Sequence, residues 1–293
     1  MLTAPRKILV IFNPTAGARR RARLDRVLAG MRALGAEVTL HETTARGDAE
    51  RTAREAPHDR FDVIVAAGGD GTINEVINGL AGRHMPLGII PLGTANVLAA
   101  ELDLPQDIDG LARTIALGRT SPVNLGEVNG RRFVMMAGVG FDAHVVASVD
   151  TGMKRLIGKL AYVWETLRGF FRFNFRAYRV IVDGTPYDVG SAVFANGHYY
   201  GGRFVRAKDA RLGDPRLHVC LFKSVGALSA LRYAAWMMLG RLDKLPDYEV
   251  VPATSIIVEG ASGEPVQGDG DIVTHLPLDA RVAADRLDML VPA

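Results

Sequence analysis

The sequence predicts an N-terminal α/β lobe on a largely parallel sheet, followed by a mostly β lobe. Three observations predict it. Short β-rich runs alternate with helical patterns over about the first 120 residues, the texture of βαβ units. From about Val123 short strand-like runs dominate, separated by turn residues. Glycine, at 32 of 293 residues, is clustered and exceeds its usual share of about 7%. A chain of this length fits two domains, because single cores stop growing near roughly 250 residues. The expected division is 1–122 for the α/β lobe and 123–279 for the β lobe, with 280–293 folding back onto the first.

Each element has its own signal. Lys7 to Phe12 (KILVIF) is a continuous apolar run, as in a strand covered on both faces. Arg20 to Leu34 carries Leu24, Val27, Leu28, Met31 and Leu34 at helical spacing. Glu37 to Leu40 reads as a second strand, Asp48 to Glu55 as a second helix and Asp62 to Ala66 as a third strand. That strand runs into Gly68-Gly69-Asp70-Gly71-Thr72 and then a helix from Ile73 to Leu80. Leu87 to Ile90 is a fourth strand, ending at Pro91-Leu92-Gly93-Thr94. In the β lobe, strands are expected at Phe133 to Ala137, Arg179 to Val182, Ser191 to Asn196, Leu217 to Phe222 and Ser255 to Glu259. Asn129-Gly130 and Asp183-Gly184 supply turns, the first a good hairpin signal. Helices at about Lys154 to Phe171 and Ala227 to Leu239 interrupt the β pattern, and Ala280 to Val291 fits a last strand.

Composition excludes several classes. Hydrophobic residues make up 48% and charged residues 23%, the balance of a folded chain. The net charge of +3 gives no basis for nucleic-acid binding. One cysteine, Cys220, cannot form an internal disulfide, and with 7 scattered histidines it gives no zinc signature; the expected compartment is the cytoplasm. The apolar start of the chain is broken by Asn13-Pro14 and lacks a cleavage-site pattern. The stretch from His84 to Ala100 contains Pro86, Gly88, Pro91 and Gly93, so it cannot run as a spanning helix.

Strand–GGDGT–helix is the most informative motif. Glycines let the backbone turn sharply and present amides where a helix begins, which favours phosphate. Asp70 would repel phosphate unless a metal, a proton or a donor accompanies it, and a magnesium nucleotide resolves that conflict. The bland alternative is a tight connection whose glycines serve positive φ and whose Asp70 caps the helix. Asn13-Pro14-Thr15-Ala16-Gly17 and Pro91 to Asn96 follow two other strands, and loops after parallel strands share one sheet edge. The side chains of Asn13, Thr15, Thr72, Asn74, Thr94 and Asn96 suit phosphate and ribose. No dinucleotide GxGxxG, P-loop or protein-kinase motif is present.

NPTAG, GGDGTINEVINGL and PLGTANVLAAEL resemble, in order and spacing, the catalytic domain of the diacylglycerol kinase and sphingosine kinase superfamily, bacterial soluble lipid kinases most of all. The resemblance continues through GVGFDA, NGHYYGGRF, AKDARLGDPRLHV and VQGDGD, nearly the whole chain. It implies a Rossmann-like ATP-binding lobe joined to a β-sandwich lobe, with catalysis in the cleft between, and ATP and Mg²⁺ as cofactors. It implies nucleotide contacts at Asn13, Pro14, Thr15, Ala16, Gly17, Thr43, Gly68, Gly69, Asp70, Gly71, Thr72, Ile73, Asn74, Glu75, Gly93, Thr94 and Asn96. Thr44 is a competing register for Thr43. Asp269-Gly270-Asp271 stands where the family has DGE, so the base that receives the acceptor's hydroxyl proton is Asp269 or Asp271. The resemblance also implies a structural magnesium on Asp214 and the main-chain oxygens of Arg211 and Arg216, although Asp214-Pro215 replaces the usual DG. Asp142 matches a position near the substrate head group.

The expected activity is transfer of the γ-phosphoryl group of ATP to a hydroxyl of a diacylglycerol-like or sphingoid lipid. Asp70→Ala and Asp269→Ala are each expected to abolish turnover with the fold intact. The alternatives are an NAD-kinase-like enzyme and a non-catalytic lipid or nucleotide sensor. A lipid substrate implies peripheral contact with the inner membrane surface. Lys154 to Arg179, where seven basic residues interleave with aromatics, is the expected docking element, with an ordinary packed amphipathic helix as the alternative.

Overall fold

The computed structural model describes residues 5–16, 18–148, 175–200, 204, 205 and 207–293. The chain forms two compact units: Met1–Leu125 with Ala284–Ala293, and Gly126–Ala283.

Unit 1 is built on parallel strands β1 (Lys7–Phe12), β2 (Glu37–Glu42), β3 (Val63–Gly68) and β4 (Leu87–Pro91), in the order β2-β1-β3-β4. Successive side chains of a strand point to opposite faces, so a strand apolar at every position needs a helix layer on each side. Helices α1 (Ala18–Ala33) and α5 (Ile108–Leu117) pack together, and Leu24, Val27, Met31, Leu111 and Ile115 join Ile8, Val10 and Phe12 in one cluster. Helices α2 (Asp48–Glu55) and α3 (Asp70–Gly79) pack against each other, α2 also touching β1 and α3 touching β3. A short α4 (Val97–Glu101) lies between β4 and α5.

Strand β5 (Arg119–Val128) leads out of unit 1 and turns at Asn129-Gly130 into β6 (Arg131–Phe133). Both turn residues have positive φ, 47° and 79°, the conformation that twists a two-residue hairpin correctly. Asp183-Gly184 does the same between β8 (Tyr178–Val182) and β9 (Thr185–Val189). One antiparallel sheet of unit 2 has the order β14-β13-β10-β7-β16-β17. Its strands are β7 (Met136–Val139), β10 (Ser191–Ala195), β13 (Leu217–Phe222), β14 (Tyr248–Ala253), β16 (Pro265–Gly268) and β17 (Asp271–His275). The opposite layer pairs β9, β8, β15 (Ser255–Glu259) and the first half of β18 (Leu278–Val291). Ala137, Phe194, Val219 and Val266 from the first layer share a buried cluster with Val180, Ile256, Leu278 and Ala280 from the second. The strands β11 (Tyr199–Tyr200) and β12 (Phe204–Val205) form a small ribbon. Helix α6 (Phe141–Ser148) packs on β7, β16 and β17, and α7 (Ala227–Met238) follows β13.

The last strand belongs to both units. Its early residues pair with β15, whereas Met289 pairs with Leu87 of β4 and Leu290 enters the α1–α5 core.

Two expectations shift. The helix after GGDGT begins at Asp70 rather than Ile73, because Asp70, Gly71 and Thr72 already lie within its first turn. The strand expected from Phe133 is split into β6 and β7, because the amides between them are spent on a side chain far along the chain.

Candidate functional site

The loops leaving β1, β2, β3 and β4 all lie at the carboxyl ends of parallel strands, where open α/β sheets bind ligands. Two of them touch through backbone. A Cβ built on Gly93 would lie 2.7 Å from the Cα of Gly69, and one on Gly69 would lie 3.3 Å from the Cα of Gly93. These glycines serve close approach, not unusual dihedrals: Gly68, Gly69, Gly71 and Gly93 all lack positive φ. The residue before α3, Gly69, supplies no side-chain cap, and Asp70 turns elsewhere: its Oδ1 accepts the Val97 amide at 3.0 Å, at the start of α4. Asp70 therefore caps the neighbouring helix and fastens the 91–96 loop to α3.

Asn96 holds that loop from within. At φ 47° its side-chain oxygen accepts the Gly93 amide at 2.7 Å and its amide donates to the Gly93 carbonyl at 3.0 Å. The Thr94 hydroxyl accepts from Arg20 at 3.5 Å. Asn13 accepts from the Thr15 amide and hydroxyl and donates to the Thr72 hydroxyl, joining the first loop to α3. Glu75 accepts the Gly47 amide at 3.0 Å and thereby fixes the loop after β2. The Thr43 amide donates to the Phe12 carbonyl, while Thr44 uses both its amide and its hydroxyl on Asp48. Of the two registers, Thr44 is thus committed to the start of α2. Ile73 is in the core, and the buried Asn74 accepts from the Asn78 side chain. Pro14 and Ala16 lie in a 3-10 turn between β1 and α1; Gly17 is outside the described residues.

Asp48 was not among the sequence candidates. It is 3% exposed, and the Thr44 amide, helped by Arg51 and His41, holds its carboxyl below the ordinary value against the opposing effect of burial. Its signal in the sequence is a threonine four residues ahead of an acid in a first helical turn.

Gly93→Ala is expected to push the two turns apart. Overpacking of this kind costs about 1–3 kcal/mol, and felt in full at the loops it would lower nucleotide affinity measured by calorimetry by roughly 5- to 150-fold. Wild-type affinity would show that the Gly69–Gly93 contact does not shape the binding surface.

In unit 2 the hairpin between β16 and β17 turns at Asp269-Gly270, both with positive φ. The Asp269 carboxylate accepts three backbone amides: Val134 at 2.8 Å, Met135 at 2.9 Å and Met136 at 3.1 Å. The same segment is held from its carbonyl side by Asn196, whose side chain donates to Val134 at 2.7 Å and whose amide donates to Met135. Two separate sequence motifs thus converge on one short stretch. Buried Gln267 completes the turn by accepting the Gly270 amide. Asp271 is half-buried and opens β17. Asp142 lies in the first turn of α6.

Asp214 does not present itself to a cation. Arg216 reaches both of its oxygens at 3.1 Å, and His218 Nε2 lies 3.4 Å away. The Arg216 hydrogen bonds, above all, hold its carboxyl below the ordinary value. The Arg211 carbonyl already accepts the Asp214 amide at 2.9 Å. In this structure the Arg216 guanidinium occupies the carboxylate that the resemblance assigns to a structural magnesium.

Most of the expected docking element, up to residue 174, lies outside the described residues. Of its end, Phe175 stacks on Phe141 at 5.9 Å and Arg176 lies 3.6 Å from Glu264. No helix among the described residues is long and apolar enough to cross a membrane.

Residues 7–128 match the family model of the diacylglycerol kinase catalytic domain, and 135–291 match that of the YegS C-terminal NAD kinase beta sandwich-like domain. A diacylglycerol kinase of Bacillus subtilis is 34% identical over 237 residues, 79% of this chain and 78% of that protein. One from Staphylococcus aureus is 27% identical over 288 residues, 97% of this chain and 91% of that protein. A crystal structure of a diacylglycerol kinase from Bacillus anthracis, 27% identical, covers 99% of this chain and 98% of its own with a TM-score of 0.79.

Proposed function

This chain belongs to the diacylglycerol kinase family and is an ATP-dependent lipid kinase, and on that premise we propose which of its residues act. The strand-end loops of unit 1 hold the triphosphate, and Asp271 of unit 2 takes the proton of the acceptor hydroxyl. The observation that carries the nucleotide site is the backbone contact of Gly69 with Gly93, locked by the Asp70–Val97 bond. It leaves two glycine turns side by side with no side chain between them, a surface on which phosphate oxygens can meet amides.

In this reading the chain's own groups divide the work. Amides of the GGDGT turn and the N-terminal end of α3 bind the phosphates. Asn13, Glu75 and Asn96 are positioning residues, each holding a loop. Magnesium arriving with the nucleotide would neutralise phosphate charge, and Asp70, one of whose oxygens accepts the Val97 amide, would be the carboxylate that holds it. As the lipid oxygen bonds to the γ-phosphorus and the bond to ADP breaks, Asp271 accepts the hydroxyl proton. Asp269 cannot serve in that role without releasing backbone amides, since three of them occupy its oxygens.

The acceptor is a diacylglycerol or a related lipid at a membrane surface. Incubation with labelled ATP and a panel of diacylglycerol, sphingosine and NAD tests this directly. Label is expected in the lipid formed from diacylglycerol; label in NAD instead would replace the reading.

The Asp214 position gives a separate prediction. Added Mg²⁺ is expected to leave the wild-type melting temperature unchanged, because Arg216 already neutralises the carboxylate. In Arg216→Leu the melting temperature is expected to fall and to become Mg²⁺-dependent. A wild-type melting temperature that climbs with Mg²⁺ would show the ion displacing the guanidinium.

A further inference from the structure

Helix α7 is turned inside out. A helix on a folded domain ordinarily buries its apolar face and shows water its polar one. Here Tyr233 is the only buried residue of the twelve. Leu228 is 84% exposed, Leu231 49%, Met238 71% and, just past the end, Leu239 68%. At 3.6 residues per turn these four fall on one arc of roughly 100°, opposite Tyr233. Val225, 43% exposed, extends the patch at the start. Five of the seven exposed large hydrophobic residues among those described lie in this one segment.

The helix does not take this orientation by default; it is fastened. The Tyr233 hydroxyl donates to the Asp247 carboxylate at 2.6 Å and accepts the Ser224 amide at 3.0 Å. The Ser224 hydroxyl at 2.5 Å and the Arg232 guanidinium also meet Asp247. Burial alone would raise the Asp247 carboxyl, but these donors outweigh it and hold the group ionised. The Tyr233 ring packs edge-on against Phe222 of β13 at 5.0 Å between centroids. A polar anchor beneath the helix thus aims its leucines and methionine outward.

We propose that this outward face of α7 docks on the surface of a lipid bilayer that carries anionic head groups. The proposal rests on the lipid-kinase reading, since the acceptor resides in such a bilayer. Charge supports this occupant at Arg241, which is exposed at the end of a stretch, Ser224 to Leu242, that holds no Asp or Glu; Lys223, Arg232 and Lys244 nearby are matched by Glu249, Asp247 and Asp243. A short apolar helix face with basic residues at its rim suits shallow insertion at the head-group boundary, and the leucines and methionine supply most of the affinity.

Sedimentation of the full chain with phosphatidylcholine vesicles containing phosphatidylglycerol tests this. The triple variant Leu228→Ser, Met238→Ser, Leu239→Ser is expected to lose vesicle binding by at least roughly tenfold. Its melting temperature, its mass in solution and its activity on a short-chain, water-soluble diacylglycerol should stay at wild-type values. Leu228→Trp, at the most exposed position, is expected to strengthen binding severalfold and gives a readout that does not depend on the triple variant folding. Vesicle binding unchanged in both variants overturns the proposal. So does a wild-type dimer that the triple variant reduces to a monomer with vesicle binding retained, which would make a second copy of the chain the occupant. Loss of activity on the water-soluble substrate by the wild type would instead strike the lipid-kinase reading, and the two failures are told apart by that arm.

Discussion

Asp271→Asn is expected to reduce lipid phosphorylation by roughly 10²–10⁴-fold, the usual contribution of a positioned proton acceptor. Asparagine keeps the shape of the side chain and cannot take a proton. Asp271 opens β17 immediately after the turn, at a half-buried position. The other carboxylate of the turn, Asp269, has its oxygens engaged by Val134, Met135 and Met136. Initial rates of label transfer from ATP to diacylglycerol in vesicles measure the effect. Nucleotide affinity should stay near wild type, because the proposed nucleotide loops belong to unit 1. A wild-type rate in Asp271→Asn would remove this residue from the reaction.

Asp269→Ala is expected to act on the fold instead. A hydrogen bond to a charged acceptor contributes about 1.5–3 kcal/mol, and a buried amide left without a partner carries a further desolvation cost. Three amides lose their acceptor at once, but the turn is only part-buried and such contributions do not add in full, so unfolding in urea should show a loss of about 3–5 kcal/mol. Asp269→Asn should also destabilise, because one of its two ends would point an N–H₂ donor at backbone donors. This revises the expectation from sequence that Asp269→Ala leaves the fold intact. Inactivity in that variant would report a lost scaffold, and an unchanged urea midpoint would show that the carboxylate does not hold the 134–136 stretch.

Local pattern carried much of the architecture. Strands β1, β13 and β15 and helix α2 fall where apolar runs and helical spacing place them. The turns at Asn129-Gly130 and Asp183-Gly184 are legible because positive φ at both positions leaves few residue choices. The misplacements have a common cause. Gly-Asp-Gly reads as a helix breaker, yet α3 starts at Asp70, where contact with Gly93 and the bond to Val97 fix the turn from outside. Val134 and Met135 look like strand residues, but Asp269, more than a hundred positions away, takes their amides. The outward face of α7 is the clearest case. Its periodicity marks a helix, but nothing in a helical period says which side faces the protein. Tyr233 and Asp247 decide that through a hydrogen bond fourteen residues apart.

Strand β18 has a consequence for how the protein is made. Most of unit 1 is Met1–Leu125, yet Met289 pairs with β4, Leu290 fills the α1–α5 core and Arg286 bonds to Asn124. Domains tend to fold as they leave the ribosome, first units first. Here unit 1 stays incomplete until translation reaches Ala284–Ala293, with the open edge of β4 awaiting its partner. The nascent chain must keep that edge from pairing with another molecule while the whole of unit 2 is synthesised, so a stop codon shortly before residue 284 would spoil the domain farthest from it in sequence.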